Sequence, residues 1–381
     1  MIQFLDETAA MQRALELARS GQGRVEPNPC VGAVIVDQEL RLLGEGFHES
    51  YGGPHAEVHA LRAAGAGARG ATLFVTLEPC HHTGKTPPCT AAIIAAGIQR
   101  VVIAILDPAR HGSGSTGQQQ LRAAGIQVEV GLCAGQAEEL LAPFSTLVIK
   151  KRPYLHAKWA MTLDGKIASA CGDSKWISNA ESRMQVHLLR GRMDGILTGI
   201  GTVLQDDPLL TARPDGPRQA TRIVLDSRAR LPMTSQLVQT AHRVPVLLVT
   251  TSQATASPAA VARCRQLEQA GVEIMVCDSP DGKEKCDIPA LMQELFRRNF
   301  TNVMLEAGSE ICGAFHDLQL IDEVHCFIAP KLVGGAAAPS PLAGQGMKQI
   351  PQHSSLIHPR IERFGDDLYL HGRTRPQTSD L

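Results

Sequence analysis

Short, near-continuous apolar runs alternate with helix-like segments twice along this chain. A basic, proline-bearing stretch, KKRPYLHAKWAMTLDGKIA (residues 150–168), separates the two series. Runs such as CVGAVIVD and RVVIAILDP offer no polar face to water, so they predict strands covered on both sides. Strands of that kind alternating with helices predict α/β architecture, with helices on both faces of a sheet. In the first series, helices are expected over residues 4–20, along HAEVHALRAAG to Gly65, and along CTAAIIAAG to Gly97. ATLFVTLEPC and GIQVEVGL add strands, and CAGQAEELLAPFSTLVIK a closing helix. In the second series GILTG, TRIVLD, VPVLLVT, GVEIMVC, TNVMLEAG and VHCFIAP read as strands, with helix-like segments such as AESRMQVHLLRGRM between several of them. TSQATASPAAVARC begins polar and turns helix-like. The boundary is expected near Lys150, giving domains over residues 1–149 and 150–381, and 381 residues is comfortable for two cores.

Composition narrows the function. The formal net charge is −1 and only 4% of residues are aromatic. A sequence-independent grip on nucleic acid needs a basic excess, and single-strand binding needs stacking faces, so neither is expected. No apolar run reaches the length of a membrane span. The amphipathic start, MIQFLDETAAMQRALELARS, lacks a basic leader region and reads as a helix of the mature protein. Ten cysteines are scattered from Cys30 to Cys326 instead of clustered, which predicts reduced thiols and a cytoplasmic protein.

Chemistry concentrates in two stretches of the first half, HAEVHALRAAG and TLEPCHHTGKTPPC. His55, Cys80 and Cys89 are the expected ligands of a zinc ion. Three protein ligands mark a catalytic zinc, which keeps a position for water; a structural zinc has four. Cys80 follows Pro79 at a strand end, where a helix could begin and favour a thiolate. Glu57 is two residues from His55, a placement that suits a general base. It takes a proton from the attacking water and hands it to a leaving amine. His-x-Glu with Pro-Cys-x-x-Cys is the pattern of zinc-dependent base deaminases, although eight residues separate the two cysteines here. His59, one helical turn after His55, is the alternative donor, and it would close the open position. His81 and His82 read as loop or substrate contacts. In the second half, TGIGTVLQDDP lacks the third glycine of the dinucleotide fingerprint. Yet it and NVMLEAGSEICGAF both place glycine turns at strand ends, where free backbone N–H groups suit a phosphate.

The motifs PNPCVGAVIV, HAEVHAL and EPCHHTGKTPPCTAAIIAAG resemble the deaminase half of the bifunctional riboflavin-biosynthesis deaminase/reductase family, RibD. LDGKIA, GDSKWIS, LLRGRMDGILTGIGTVLQDDPLLTAR, RIVLDS and LEAGSE resemble its reductase half, in the same order. The resemblance covers nearly the whole chain. It implies a cytidine-deaminase-like three-layer α/β domain followed by a dihydrofolate-reductase-like α/β domain, with Zn2+ and NADPH as cofactors. It implies hydrolytic deamination of 2,5-diamino-6-(5-phosphoribosylamino)pyrimidin-4-one and then reduction of the ribosyl chain to ribityl. By motif, Asn28, His48, His82 and Lys85 would surround the deaminase substrate. Ala160, Trp176, Thr202, Asp206, Ser227 and the turn Gly308, Ser309, Glu310, Ile311, Cys312, Gly313 and Ala314 would meet NADPH. Lys158, Ser174, Arg190, Leu210, Arg213 and Glu306 would meet the reductase substrate, with Arg190 and Arg213 on its phosphate. Base rates would put a tryptophan such as Trp176 in the core. The family suggests a homo-oligomer, dimer or tetramer. Two departures from it stand out: His81 occupies a position that is commonly Ser, and Ala109-Arg110 replaces a common Asn-Pro, where Arg110 or His111 would have to substitute. The rival readings are another zinc deaminase, acting on a free base, nucleoside or tRNA and fused to a reductase-like module, and a zinc-stabilised nucleic-acid-binding protein.

Overall fold

The computed structural model describes residues 2–82, 87–110, 116–280, 282 and 284–375. The chain forms two compact units, Met1–Lys151 and Arg152–Leu381.

In the first unit the strands are β1 (Gly32–Val36), β2 (Leu42–Phe47), β3 (Thr72–Leu77), β4 (Arg100–Ile105) and β5 (Gln127–Val130). They form one sheet in the order β2-β1-β3-β4-β5. β1 is antiparallel to both of its neighbours, and β3, β4 and β5 run parallel. Alternate residues of the apolar runs serve opposite faces. Ala33, Ile35, Leu73, Val75, Val101 and Ile103 pack with the helices Ala56–Ala64, Cys89–Ala96 and Gly117–Ala123. Val34, Val36, Phe74, Val102 and Ala104 pack with the helices Glu7–Arg19 and Ala134–Leu140. The result is the expected three-layer arrangement.

β2 had no strand signal in the sequence, because LLGEGF carries two glycines. Tertiary packing supplies the reason. A Cβ on Gly44 would stand 2.4 Å from the Ala60 carbonyl oxygen, and one on Gly46 would stand 2.4 Å from the His59 Cβ. Only glycine lets the helix Ala56–Ala64 lie this close to the strand. Two expectations are corrected nearby. No helix opens at Cys80, whereas the helix expected along CTAAIIAAG is present as Cys89–Ala96, after Pro88. The single closing helix is two, Ala134–Leu140 and Ala142–Lys150, with Pro143 in the first turn of the second.

The strands of the second unit are β6 (Tyr154–Thr162), β7 (Gly195–Gly199), β8 (Thr221–Leu225), β9 (Val246–Thr250), β10 (Val272–Val276), β11 (Asn302–Leu305), β12 (Glu323–Ala329), β13 (Leu356–Phe364) and β14 (Asp367–Thr374). They form one nine-stranded sheet, β10-β9-β8-β7-β11-β6-β12-β14-β13. β10 through β12 run parallel in that order, and the hairpin β13–β14 adds an antiparallel edge. The basic stretch after Lys150 therefore contains an interior strand, β6. Its entry is fixed by a buried pair: Arg152 donates to both carboxylate oxygens of Asp322, at 2.5 and 2.8 Å. One of those oxygens also accepts from the Leu155 N–H at 2.9 Å. Of the described residues, no helix is long and apolar enough to cross a membrane.

Candidate active sites

In the first unit three scarce donors converge. His55 is the residue before the helix Ala56–Ala64, Cys80 lies past the end of β3, and Cys89 opens the helix Cys89–Ala96. His55 Nδ1 is 3.2 Å from Cys89 Sγ and 3.6 Å from Cys80 Sγ. The three ligand atoms lie within 4.8 Å of one another, and two thiolate-capable sulfurs with an imidazole are a zinc-type donor set. His59 is outside this cluster; its Nδ1 stands 4.0 Å from Glu49. Although the helix starts at Cys89, its first N–H donates to Cys80 Sγ at 3.3 Å. The helix N-terminus thus favours the Cys80 thiolate after all. The hydrogen bond from the Cys89 thiol, then those from His55 and the Cys89 N–H, bring Cys80 down to about 4. The same thiol–thiolate hydrogen bond and burial hold Cys89 up.

These groups border a cavity of about 390 Å³, a size suited to a small molecule. Asn28, His48, His55, Glu57, Cys80 and His82 line it, while Cys89 is buried behind. Glu57 is 3% exposed, and burial raises its pKa. His48 Nδ1 is 3.0 Å from the Pro54 carbonyl oxygen, which only accepts, so Nδ1 carries the proton. Burial keeps His48 neutral, and its Nε2 then accepts from Asn28 Nδ2 at 3.2 Å. This leaves the Asn28 side-chain oxygen for a ligand. Ala109 lines the same wall with a methyl group. Lys85 and His111 lie outside the described residues. His81 is half-buried, its ring 5.8 Å from that of His82.

Sequence reading missed Glu78, Phe144 and Val148 in this wall. Glu78 had a local signal, a carboxylate immediately before Pro79-Cys80. It accepts from the N–H of Asp107 at 3.1 Å and of Gln118 at 2.9 Å, joining the loops after β3 and β4 to the first turn of the helix Gly117–Ala123. Gly117 fits this junction because a Cβ there would stand 2.0 Å from the Pro79 carbonyl oxygen. Phe144 and Val148 had no signal, since nothing in their helix indicates which face meets the cavity.

The second unit holds a cavity of about 850 Å³. Its floor is the carboxyl end of the neighbouring parallel strands β7 and β11, the edge where α/β sheets bind ligands. Both glycine turns reach it, through Gly199, Gly201 and Gly308. Gly199 and Gly308 each precede a helix, Ile200–Asp206 and Ser309–Asp317, and Gly201 lies in the first turn of the former. Of the expected cofactor residues, Ala160, Trp176, Thr202, Asp206, Gly308, Ser309, Glu310 and Ile311 line the cavity. Cys312, Gly313 and Ala314 do not: the helix turns them away, so that Cys312 Sγ donates to the Ala307 carbonyl oxygen at 3.3 Å and Gly313 packs on Ala343. Ser227 is also off the wall, its Oγ 3.5 Å from Cys286 Sγ. Trp176 is 65% exposed and not a core residue; Arg183 lies over its ring at 4.5 Å.

All six expected substrate residues line this cavity: Lys158, Ser174, Arg190, Leu210, Arg213 and Glu306. The two arginines differ. Arg190 directs its fork at Glu306, Nε at 2.6 Å and Nη2 at 2.9 Å, and its Nη1 donates to the Thr211 carbonyl oxygen at 3.2 Å. Lys158 Nζ donates to Glu306 at 3.4 Å. These cations outweigh burial and hold Glu306 down to about 2. Arg213 is exposed and forms no ion pair among the described residues. His187 also lines the wall and was missed; burial first, then Arg190 and Arg213, push its pKa down.

Residues 153–370 match the family model of the RibD C-terminal domain, and residues 6–105 that of the cytidine and deoxycytidylate deaminase zinc-binding region. The chain is 39% identical to riboflavin biosynthesis protein RibD of Aquifex aeolicus, over 97% of this chain and 99% of that protein. It is 37% identical to the protein of the same name from Escherichia coli, over 95% and 97%. The chain belongs to the RibD family. A solved diaminohydroxyphosphoribosylaminopyrimidine deaminase/5-amino-6-(5-phosphoribosylamino)uracil reductase from Thermotoga maritima is similar at 36% identity and a TM-score of 0.81, covering 97% of this chain and 98% of that one. Acinetobacter baumannii RibD is similar at 34% identity and a TM-score of 0.81, covering 97% and 99%. The chain is accordingly a bifunctional enzyme of riboflavin biosynthesis, acting on a small molecule. Its zinc-dependent deaminase fold comes first and its NADPH-dependent reductase fold second, as the motifs implied.

Proposed function

We propose that His55, Cys80 and Cys89 hold the zinc and that Glu57 moves the proton in deamination of 2,5-diamino-6-(5-phosphoribosylamino)pyrimidin-4-one. The observation that supports this most is convergence: three donors within 4.8 Å share one small cavity with a buried carboxyl group. Zinc held there supplies a Lewis acid that acidifies water. Glu57 accepts the proton of the attacking water and returns it to the departing amine nitrogen. Its burial favours the protonated form needed for the second half of that task. Asn28, oriented by the neutral His48, offers its oxygen to a pyrimidine N–H. His82 flanks the ring from the cavity wall.

For the second step NADPH supplies the hydride. The Gly199–Gly201 and Gly308 turns offer backbone N–H groups to its phosphates, and Trp176 offers a flat apolar face. Lys158 and Arg190, clamped by Glu306, form a rigid cationic floor for the sugar. Arg213, exposed and in no ion pair among the described residues, takes the 5′-phosphate. The ten cysteines form no disulfide among the described residues, which supports a reducing, cytoplasmic location. The proposed homo-oligomer is tested by sedimentation.

The deciding experiment incubates metal-loaded protein with the diaminopyrimidine, with and without NADPH, followed by mass spectrometry. Deaminated product is expected in both arms and the ribityl product only with NADPH. Absence of deaminated product from the metal-loaded protein overturns the first assignment, and reduction without NADPH overturns the second.

A further inference from the structure

Three side chains of the second unit meet away from its cavity. His156 stands on β6, and Glu323 and His325 stand on β12. The parallel register sets Glu323 beside His156 and His325 beside Lys158. Residues two apart on a strand share a face, so all three project to the same side of the sheet. His156 Nδ1 is 3.2 Å from His325 Nε2. Glu323 approaches His156 Nδ1 at 3.6 Å with one oxygen and His325 Nε2 at 3.6 Å with the other. Donors bound tetrahedrally to a zinc at 2.0–2.1 Å are about 3.3 Å apart. The two imidazole nitrogens stand close to that value, the carboxylate meets each of them with a different oxygen, and one donor atom from each residue lies within 4.8 Å of the others.

The outer ring nitrogens explain why the inner ones face each other. His156 Nε2 is 3.1 Å from Asn302 Oδ1 and donates to it, which leaves Nδ1 as an acceptor that takes a hydrogen bond from His325 Nε2 until an ion displaces that proton. His325 Nδ1 is engaged by the Tyr369 hydroxyl at 2.7 Å. Outward hydrogen bonds of this kind orient histidines that bind metals through the other nitrogen. Tyr154 donates to Glu323 at 3.2 Å and restrains the carboxylate in the same way. The histidines are 8% and 3% exposed, and the Glu323 side chain is 22% exposed, leaving one side of the cluster open to water.

We propose that His156, Glu323 and His325 form a second metal site, for a divalent transition ion of the zinc, cobalt and nickel class. Two imidazoles and one carboxylate suit such ions, and the set contains no thiolate. The ion would tie β6 to β12 by side chains as well as by the ladder, with water in the remaining position.

The test uses the full chain without an affinity tag. Wild-type protein should hold two equivalents of Zn2+, and the Cys80→Ser/Cys89→Ser variant should keep one. Adding His156→Ala and His325→Ala to that variant should remove the last equivalent. Co2+ titrated into the cysteine variant should give visible d–d bands without the sulfur-to-metal absorption of a thiolate site. A cysteine variant that is folded by circular dichroism but takes up neither Zn2+ nor Co2+ overturns the proposal. So does a quadruple variant that still binds an equivalent. Should the histidine variants fail to fold, Glu323→Gln in the cysteine background keeps the side-chain shape. It should weaken Co2+ binding about tenfold or more, and unchanged binding overturns the assignment.

Discussion

Two buried glutamates, Glu57 beside the first unit's cavity and Glu306 beside the second's, are driven in opposite directions. Glu57 is buried next to a thiolate, and its pKa rises because burial penalises the charge. Glu306 is buried as well, yet it is held down to about 2 by Arg190 and Lys158. Burial alone therefore does not decide protonation; the charge of the nearest partners does. The first carboxyl group can carry a proton during turnover. The second is a fixed anion that orients two cations.

The largest effect should come from neutralising the proton carrier. Glu57→Gln should lower ammonia release roughly 10²- to 10⁴-fold, the usual worth of a general base. Zinc content should be unchanged by elemental analysis, and reduction of pre-deaminated substrate should proceed normally. Near wild-type deamination would remove Glu57 from the mechanism and erase the contrast.

Glu306→Gln should act on stability instead. It strands two cations against a neutral amide, and breaking a buried pair from one side costs about 3–5 kcal/mol. The second unit's Tm should fall by roughly 6–20 °C. The acid response should change too. Glu306 in the fold titrates near 2, below the ~4.3 of a free glutamate. Its stabilisation is complete above that free value and is lost as pH falls toward about 2. Urea midpoints should drop less steeply across that window in the variant than in wild type. Equal slopes would show that the fixed-anion reading is wrong.

The two arginines sharpen the same point on a smaller scale. Arg213→Ala removes one uncommitted guanidinium worth ~1.5–3 kcal/mol. The kcat/KM for the phosphorylated substrate should fall roughly ten- to a hundred-fold or somewhat more. NADPH affinity and Tm should hold, and Arg213→Lys should restore part of the loss. Arg190→Ala should lower Tm as well, because it unpairs Glu306. If Arg213→Ala weakens NADPH and treats a dephosphorylated substrate alike, the phosphate assignment fails. The smallest change concerns the first cavity. Ala109→Asn adds a hydrogen-bonding side chain to its wall and should lower the deaminase KM about two- to tenfold, with reduction unaffected. An unchanged or raised KM would mean that this wall does not touch substrate.

The sequence by itself determined the elements that need no partner to be recognised. Strands buried along most of their length are mainly apolar, so β1, β3, β4, β7, β8, β9 and β11 are visible in the residues alone, and the less buried β10 and β12 still carry enough apolar residues to be read. His55, Glu57, Cys80 and Cys89 are legible because each is a reactive residue type in a tight local pattern. Tertiary structure decided what depends on distant partners. β6 is masked by its basic residues, which are neutralised far along the chain: Lys158 finds Glu306 across 148 positions, and Arg152 finds Asp322 across 170. β2 is masked by glycines whose purpose is the approach of a helix. Nothing local separates Arg190 from Arg213, for both are arginines near apolar runs. The fold gives the first a carboxylate and leaves the second exposed on the cavity wall, because an ion pair is a property of two points in space and not of either stretch of chain.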